Sequence, residues 1–213
     1  PASAESVSPR HRLIILADMG NEPDEEQQMV HMLMCSNEFD IDGLIAVTGK
    51  YLRKEPLPEL FLKLIDGYEE VVDNLRLHAE GWPSPEYLRS VTVPGQNEYG
   101  IADVGEGKAS PGSKLIIEAL TRDDPRPIWL AINAGSNTLA QALRDLRETR
   151  TPMEMDALVA KLRVFENGSQ DNAGAWICSQ FPDIHWIRSN YQTYAYGGPG
   201  RPSGEAHSDI GPY

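Results

Sequence analysis

Five acidic side chains fall within nine positions near the start of the chain, directly after an apolar run. They are Asp18, Glu22, Asp24, Glu25 and Glu26. Because carboxylates this close together repel one another, a cation, a basic partner or water has to offset their charge. A purely structural explanation is that Asp24 caps a helix over residues 25–35, with Glu25 and Glu26 favoured by the helix dipole. That explanation leaves Asp18 unaccounted for. The pattern therefore favours a site for a hard cation, and Ca²⁺, which takes several oxygen ligands in flexible geometry, is the natural ion.

Polar clusters follow two further apolar runs, at residues 133–138 and residues 166–172. In the first cluster Ser136 or Asn137 would cap the next helix, and a backbone carbonyl near Asn137 could still bind a metal. In the second, four amide or carboxylate side chains lie within six residues, which is more than helix capping requires. These four are Asn167, Gln170, Asp171 and Asn172. Such side chains suit a polyhydroxylated ligand such as a ribose or hexose ring, so we expect them to bind substrate.

The remaining candidates for chemistry are weaker. Packing is the expected role of His31, His78 and His185, whereas the pair His207 and Asp209, in a tail rich in Gly and Ser, is a minor candidate for a proton donor. The sequence has no Walker motif, no zinc-ligand spacing and no Gly-x-Ser-x-Gly elbow.

The elements that must position these residues alternate between strand and helix. Apolar runs predict strands at residues 13–16, 41–48, 127–132, 162–165 and 184–187. Helical spacing predicts helices at residues 25–35, 59–72, 113–121, 137–147, 152–161 and 173–179. This alternation predicts an α/β fold of three layers around a mostly parallel sheet. Ligands bind such sheets outside the carboxyl ends of the strands, so we expect Asp18, Asn137 and Asp171 to meet in one pocket.

A long stretch between the second and third predicted strands, residues 81–112, holds much of the Gly and Pro of the chain. It predicts an irregular surface loop, and long loops in compact domains tend to be functional. We expect residues 81–107 to border the pocket and to be more mobile than the sheet, because they lack a hydrophobic period.

Composition excludes several classes of partner. A length of 213 residues suits one domain, and the formal net charge of −13 would repel nucleic-acid backbones and anionic membranes. No apolar run is long enough to span a bilayer, while residues 1–8 resemble the small, polar start left after signal cleavage, so a secreted or periplasmic location is expected.

Cys35 and Cys178 fall on apolar faces and are expected to be buried free thiols, with a disulfide only if their elements touch.

Five segments together resemble the nucleoside hydrolase-like N-terminal domain of secreted bacterial and fungal proteins often labelled cellulose-binding. They are ADMGNEPDEEQQ at residues 17–28, SNEFDIDGLIA at 36–46, YGIADVGEG at 99–107, NTLAQAL at 137–143 and QDNAGAWI at 170–177. The resemblance runs from about residue 12 to residue 187. It implies a flexible segment at residues 1–11, followed by a nucleoside hydrolase-like domain over residues 12–213. Truncation of this domain at its C-terminus is left open.

The resemblance also implies roles for individual residues, since that domain is similar to the calcium-dependent nucleoside hydrolases, whose acidic cluster binds Ca²⁺ and activates water for attack at a ribosyl C1′. Asp18 would be the metal-bound carboxylate that takes the proton of the water, Asp24 would contact sugar hydroxyls, and Glu25 would be the second acidic metal ligand. The backbone carbonyl near Asn137 would complete part of the metal shell. The four side chains at Asn167, Gln170, Asp171 and Asn172 would fall where those enzymes grip the ribose.

The chain departs from the nucleoside hydrolases at several positions. Asp18 and Asp24 are separated by two more residues than in those enzymes. Glu25 stands where an Asp is usual, and Asn133 and Ala134 replace a Trp-Gly pair. The late His-Asp pair of those enzymes has no clear equivalent in this sequence.

Two functions therefore stay open. The first is hydrolysis of an N- or O-glycosidic bond, in a sugar-containing small molecule or a polysaccharide, at a Ca²⁺ site, and the intact acidic cluster favours it. The second is an inactive carbohydrate-binding domain, which the missing late pair favours, since a fold does not carry function by itself. The oligomeric state stays open as well, with a homodimer among the options.

Overall fold

Six parallel strands and the helices that connect them make up the computed structural model, which describes residues 10–20 and 23–189. The strands are β1 (His11–Ala17), β2 (Phe39–Ala46), β3 (Thr92–Pro94), β4 (Ile128–Ile132), β5 (Leu162–Asn167) and β6 (His185–Ser189). The helices are α1 (Pro23–Leu33), α2 (Pro58–Leu75), α3 (Pro85–Ser90), α4 (Pro111–Thr121), α5 (Asn137–Thr149), α6 (Pro152–Lys161) and α7 (Ala173–Gln180). The sheet has the strand order β3-β2-β1-β4-β5-β6, so the first strand lies at its centre.

Alternation along β1 builds two hydrophobic cores, one on each face of the sheet. Ile14 and Leu16 belong to a core that includes residues of α4, α5, α6 and α7. Ile15 and Ala17 point the other way, into a core with residues of α1, α2 and α3. Successive strand residues face opposite sides of a sheet, so a central strand that is apolar throughout requires a covering layer on both faces. This arrangement confirms the predicted α/β class with three layers.

The second core stops partway across the sheet. Ala131 of β4 packs against it, but no described residue of β5 or β6 belongs to it. On that side of the sheet the strand register places Ala131, Phe165 and Ile187 in one row, and Ile187 is 40% exposed. In the described chain, this half of the sheet face is therefore less covered than the half over β1 and β2.

The stretch at residues 81–112 is more ordered than the sequence predicts. It contains α3, whose first turn is capped by Ser84, and β3, which pairs with β2 through Thr92, Val93 and Pro94. The prediction of a wholly irregular loop is wrong because a three-residue strand that ends in Pro has no detectable period. Proline lacks an N–H to donate and is confined to sheet edges, and β3 is an edge strand.

The expectations for the cysteines and for the ends of the chain have different outcomes. Cys35 and Cys178 are both free, as expected, but neither is fully buried. Cys178 is half-buried, and Cys35 is exposed because it follows α1 instead of lying on its apolar face. The segment at residues 1–9, the acidic side chain of Glu22, and the pair His207 and Asp209 lie outside the described residues. Within the described part, no helix combines the length and the apolar character that crossing a membrane requires.

Candidate functional site

The exits of the central strands meet at the carboxyl edge of the sheet. A Cβ added at Gly49, just after β2, would lie 2.1 Å from Oδ2 of Asp18 and 2.9 Å from Oε1 of Gln170. The backbone N–H of Gly135, after β4, donates to the carbonyl of Thr48 at 2.9 Å. Segments that follow β1, β2, β4 and β5 are thus in contact. The prediction that the polar clusters converge on one edge is confirmed, and Gly49 is required there because the carboxylate of Asp18 takes the place of a side chain.

Three carboxylates lie together at the junction of β1 and α1. Asp18 is 2% exposed and Glu25 is 6% exposed. Burial raises the pKa of Glu25 from its usual 4.5 to about 10, with further contributions from a hydrogen bond with Asp24 and from the negative charges of Asp24 and Asp18. In the metal-free protein Glu25 is therefore protonated at neutral pH, and one proton partly relieves the repulsion within the cluster.

A cavity beneath α1 adjoins Glu25. It has a volume of about 320 Å³, and Glu25, Gln28 and Asn133 lie among otherwise mostly apolar lining residues. The apolar wall includes Ile15 and Met29. A carboxylate beside such a wall is poorly hydrated, which favours its neutral form.

The donor atoms at this edge suit a hard cation by their chemistry. Asp18, Asp24 and Glu25 supply carboxylate oxygens. Oδ1 of Asn137 is buried and accepts no hydrogen bond from the described residues, because the amide Nδ2 donates to the carbonyls of Glu98 and Gly100 instead. Oxygen donors of both kinds are ligands that Ca²⁺ prefers. Within residues 10–20 and 23–189, however, no three His, Cys, Asp or Glu side chains are gathered closely enough to hold a metal ion as they stand. Binding would require the carboxylates to rearrange.

Asn137 contributes differently from what the resemblance implies. It is the first residue of α5, so its backbone carbonyl belongs to the helix hydrogen-bond ladder, whereas its side-chain oxygen lacks a donor among the described residues. The side chain is the better candidate ligand, and the metal-binding role of Asn137 stays a prediction.

Three of the four predicted substrate-binding side chains hold the strand exits together. Gln170 accepts from the N–H of Lys50 at 3.2 Å and donates to the carbonyl of Asn133 at 2.6 Å. Asn172 accepts from the N–H of Ile101 at 2.9 Å. These bonds give the amide-rich segment a structural explanation that sequence spacing could not show.

Asp171 joins the beginnings of two helices. Its Oδ2 accepts from the N–H groups of Ser136 and Asn137 at 3.0 and 3.2 Å, and its Oδ1 accepts from the N–H of Ala173 at 2.9 Å. Burial raises the pKa of Asp171, although these backbone donors act in the opposite direction. Oδ1 of Asn167, by contrast, is buried and receives no hydrogen bond from the described residues. Substrate binding by the four side chains stays a prediction.

The loop after β2 was not singled out by the sequence, yet it borders the site. Lys50, Tyr51 and Arg53 are exposed, and Tyr51 is 57% exposed despite its apolar ring. A signal was available, since Lys50, Arg53 and Lys54 are three cations in five positions of an acidic chain. Residues 98–101 lie against the same edge, as expected for the stretch at 81–107, and Tyr99 donates through its hydroxyl to the carbonyl of Gln170 at 2.9 Å.

Comparison with known proteins finds a matching family model and similar solved structures. Residues 12–208 match a protein-family model described as "Cellulose-binding Sde182, nucleoside hydrolase-like domain". The structure is similar to that of a nucleoside hydrolase-related hypothetical protein from Saccharophagus degradans that is associated with carbohydrate metabolism, with 41% sequence identity and a TM-score of 0.84. The similarity covers 92% of this chain and 46% of that one, so this chain spans less than half the length of its structural neighbour. Among curated proteins the comparison finds no match.

Proposed function

The chain belongs to the family of the cellulose-binding Sde182, nucleoside hydrolase-like domain, and on that premise we propose that it hydrolyses a glycosidic bond. The substrate is a nucleoside or a glycoside, and the reaction takes place at the carboxylates of Asp18, Asp24 and Glu25. The observation that carries the proposal is the burial of Asp18 and Glu25 beside Asp24 at the carboxyl edge of a parallel sheet. Gathering acidic groups in a buried place is costly, and this cost favours a role for them in binding a ligand.

The residues divide the chemistry between them. When bound, Ca²⁺ supplies a positive charge that lowers the pKa of a coordinated water. Asp18 and Glu25 would hold the ion, and Asn137 would add its side-chain oxygen. Glu25 would have to lose its proton to act as a ligand, because metal ligation requires the carboxylate form. As general base, Asp18 would take the proton of the attacking water while the water oxygen bonds to the anomeric carbon and the glycosidic bond breaks. The departing base or alcohol would take up a proton from bulk water.

The polar groups around this edge would position the sugar. Asp24 would accept hydrogen bonds from sugar hydroxyls. Asn167 has a buried oxygen without a donor among the described residues, and a hydroxyl could satisfy it. Gln170 and Asn172 fix the loops that shape the site and keep some hydrogen-bonding capacity for a ligand.

The test compares Asp18→Asn with Asp156→Asn, a control that removes the same charge from an exposed position on α6. Asn keeps the size and one oxygen of Asp but cannot accept the proton, so turnover should fall about 10²- to 10⁴-fold. Release of base or reducing sugar is measured on a panel of nucleosides and aryl glycosides, with Ca²⁺ and with a chelator. Unchanged turnover in Asp18→Asn would show that another group is the base.

A second function, carbohydrate binding without hydrolysis, is favoured by one observation. Among the described residues, no three His, Cys, Asp or Glu side chains are close enough to hold a metal ion without rearrangement, and a binding domain does not need such a group. The description of the matched family names cellulose binding as well. A chain that is inert on the whole panel but retained on a polysaccharide column, with Asp18→Asn retained equally, would establish this function instead.

A further inference from the structure

We propose that the loop at residues 49–54 binds the negatively charged group of an acidic saccharide at the rim of the carboxylate cluster. Lys50 and Arg53 provide the positive charge, and the exposed ring of Tyr51 provides a face for the sugar. The inference rests on the proposed function only in placing a saccharide at this edge of the sheet. Hereafter we refer to Lys50, Tyr51 and Arg53 as the cationic rim.

The cationic rim begins one residue from the carboxylate cluster. Gly49 lies against Asp18, and a Cβ there would be 2.1 Å from Oδ2 of Asp18. The next residue, Lys50, donates its backbone N–H to Oε1 of Gln170 at 3.2 Å. Lys50 therefore directly follows the glycine that contacts Asp18, and its Cα lies only about 3.8 Å from that of Gly49.

The positive charges of the rim are available to a ligand. Lys54 pairs with Glu98, whose Oε1 lies 3.3 Å from the ammonium nitrogen. Neither Lys50 nor Arg53 forms an ion pair with any carboxylate in the described part of the chain. In a chain of net charge −13, Lys50 and Arg53 thus bring two cations without a carboxylate partner among the described residues to one region at the mouth of the site. That region would attract an anionic ligand that the rest of the surface repels.

The guanidinium of Arg53 is held in place before a ligand arrives. Its carbon lies 4.5 Å from the centre of the Tyr99 ring, and its Nε donates to the carbonyl of Lys50 at 3.1 Å. Tyr99 is fixed in turn through Gln170. These contacts use Nε and one face of the guanidinium, so the terminal N–H groups remain able to bind an oxyanion in a forked geometry. Because the group is already ordered, binding loses little side-chain entropy.

The loop as a whole is anchored at its far end. The N–H of Glu55 donates to the carbonyl of Asn97 at 2.9 Å, and Glu55 adopts a left-handed conformation with φ of 55°. A non-glycine residue in this region is strained and persists only where the surroundings fix it. The cationic rim is therefore a built surface of defined shape.

Tyr51 and Lys50 together favour a sugar that carries a carboxylate or a phosphate. Nζ of Lys50 lies 5.0 Å from the centre of the exposed Tyr51 ring. A pyranose could stack on the ring while its oxyanion meets the ammonium and guanidinium groups. A uronate and a sugar phosphate share this chemistry.

The experiment measures binding by calorimetry, which does not depend on turnover. The ligands are trigalacturonate, neutral galactotriose and glucose 6-phosphate, titrated into the full chain at low salt. The double variant Lys50→Gln/Arg53→Gln is compared with Lys63→Gln/Lys114→Gln, which removes two exposed charges from α2 and α4. We expect trigalacturonate or glucose 6-phosphate to bind at least about tenfold more tightly than galactotriose, and the rim variant to lose that preference while the control keeps it.

Two further variants separate the rim from the fold and from the catalytic proposal. Lys50→Arg keeps both charges and leaves the forked group of Arg53 in place, so it should retain the preference for acidic ligands, whereas a loop damaged by substitution would lose it in every variant. Asp18→Asn should bind acidic ligands at least as tightly as the native chain, even if no substrate is ever hydrolysed. Equal binding of the acidic and neutral ligands, absence of binding, or an unchanged preference in the rim variant would overturn the proposal. The identity of the stronger acidic ligand distinguishes a uronate from a phosphate.

Discussion

Glu25 couples the stability of the metal-free protein to pH. Its pKa in the folded state is about 10, against 4.5 for an ordinary Glu. Between these values the unfolded chain has released the proton and the folded chain still holds it, so stability falls as pH rises from about 4.5 toward 10. Glu25→Gln keeps the neutral form permanently and removes this dependence. In the presence of a chelator, the variant should be about 2 to 4 kcal/mol more stable than the native chain at pH 8 and similar to it near pH 4.5.

Urea denaturation at the two pH values measures this difference. Glu26→Gln is the matched control, because it removes one carboxylate from the same turn of α1 without being a source of the pKa shift of Glu25. A Glu25→Gln variant with the same pH profile as the native chain would mean that Glu25 is ionised in the folded protein.

Asp171 stabilises the helix ends that lie next to the site. Replacing it with Ala would leave the N–H groups of Ser136, Asn137 and Ala173 without their acceptor in a buried place. Each unsatisfied buried group costs about 1 to 3 kcal/mol, so Asp171→Ala should destabilise the fold by at least about 3 kcal/mol. Asp171→Asn keeps one acceptor oxygen and should cost less. Thermal denaturation orders the two variants, and an equal, small effect would show that Asp171 is free for a substrate.

At the scale of the elements, Gly49 fixes how closely the exit of β2 approaches β1. Gly49→Ala would place a methyl group 2.1 Å from Oδ2 of Asp18, so the carboxylate must turn away. We expect a loss of about 1 to 3 kcal/mol from overpacking, together with a larger loss of turnover and of any calcium response. Gly67→Ala is the control, since a Cβ on that exposed face of α2 meets nothing within 4 Å. That change should stabilise the helix by about 0.5 to 1 kcal/mol. A Gly49→Ala variant that keeps the native calcium response would separate Gly49 from the site.

The sequence predicts the elements well where period and length agree. Long apolar strands such as β1 and amphipathic helices such as α5 leave a periodic pattern, and their order determines which loops share an edge. Short elements such as β3 leave none, because three residues cannot show a period and their pairing depends on β2. The residues of the site could be predicted only in part, for a similar reason. Spacing identifies Asp18 and Glu25, but it does not reveal that Gln170 and Asn172 bond to distant loops or that residues 49–54 fold over the edge.

For the whole molecule, one expectation that remains to be tested is calcium dependence. A ligand that binds only the folded state stabilises it by RT ln(1 + [L]/Kd), which is about 2.7 kcal/mol at a hundredfold excess over Kd. Ca²⁺ should therefore raise the melting temperature by roughly 5 to 10 °C at saturation. Nonspecific screening of the net charge of −13 would act as well, so Mg²⁺ at equal ionic strength is the reference. Asp18→Asn should lose most of the difference between the two ions. A melting temperature indifferent to calcium and chelator removes the metal from the mechanism.

The central place of β1 in the sheet has a consequence for how the chain is made. β1 is synthesised first and finds β2 soon afterwards, but its other neighbour, β4, begins only at Ile128. Translation adds about 5 to 20 residues per second, so one edge of β1 stays unpaired for on the order of 5 to 20 s before β4 is synthesised. Until then its backbone N–H and C=O groups can pair with other strands. Nascent chains arrested before β4 should therefore be protease-sensitive and bind chaperones, and those arrested after β5 has emerged should resist digestion.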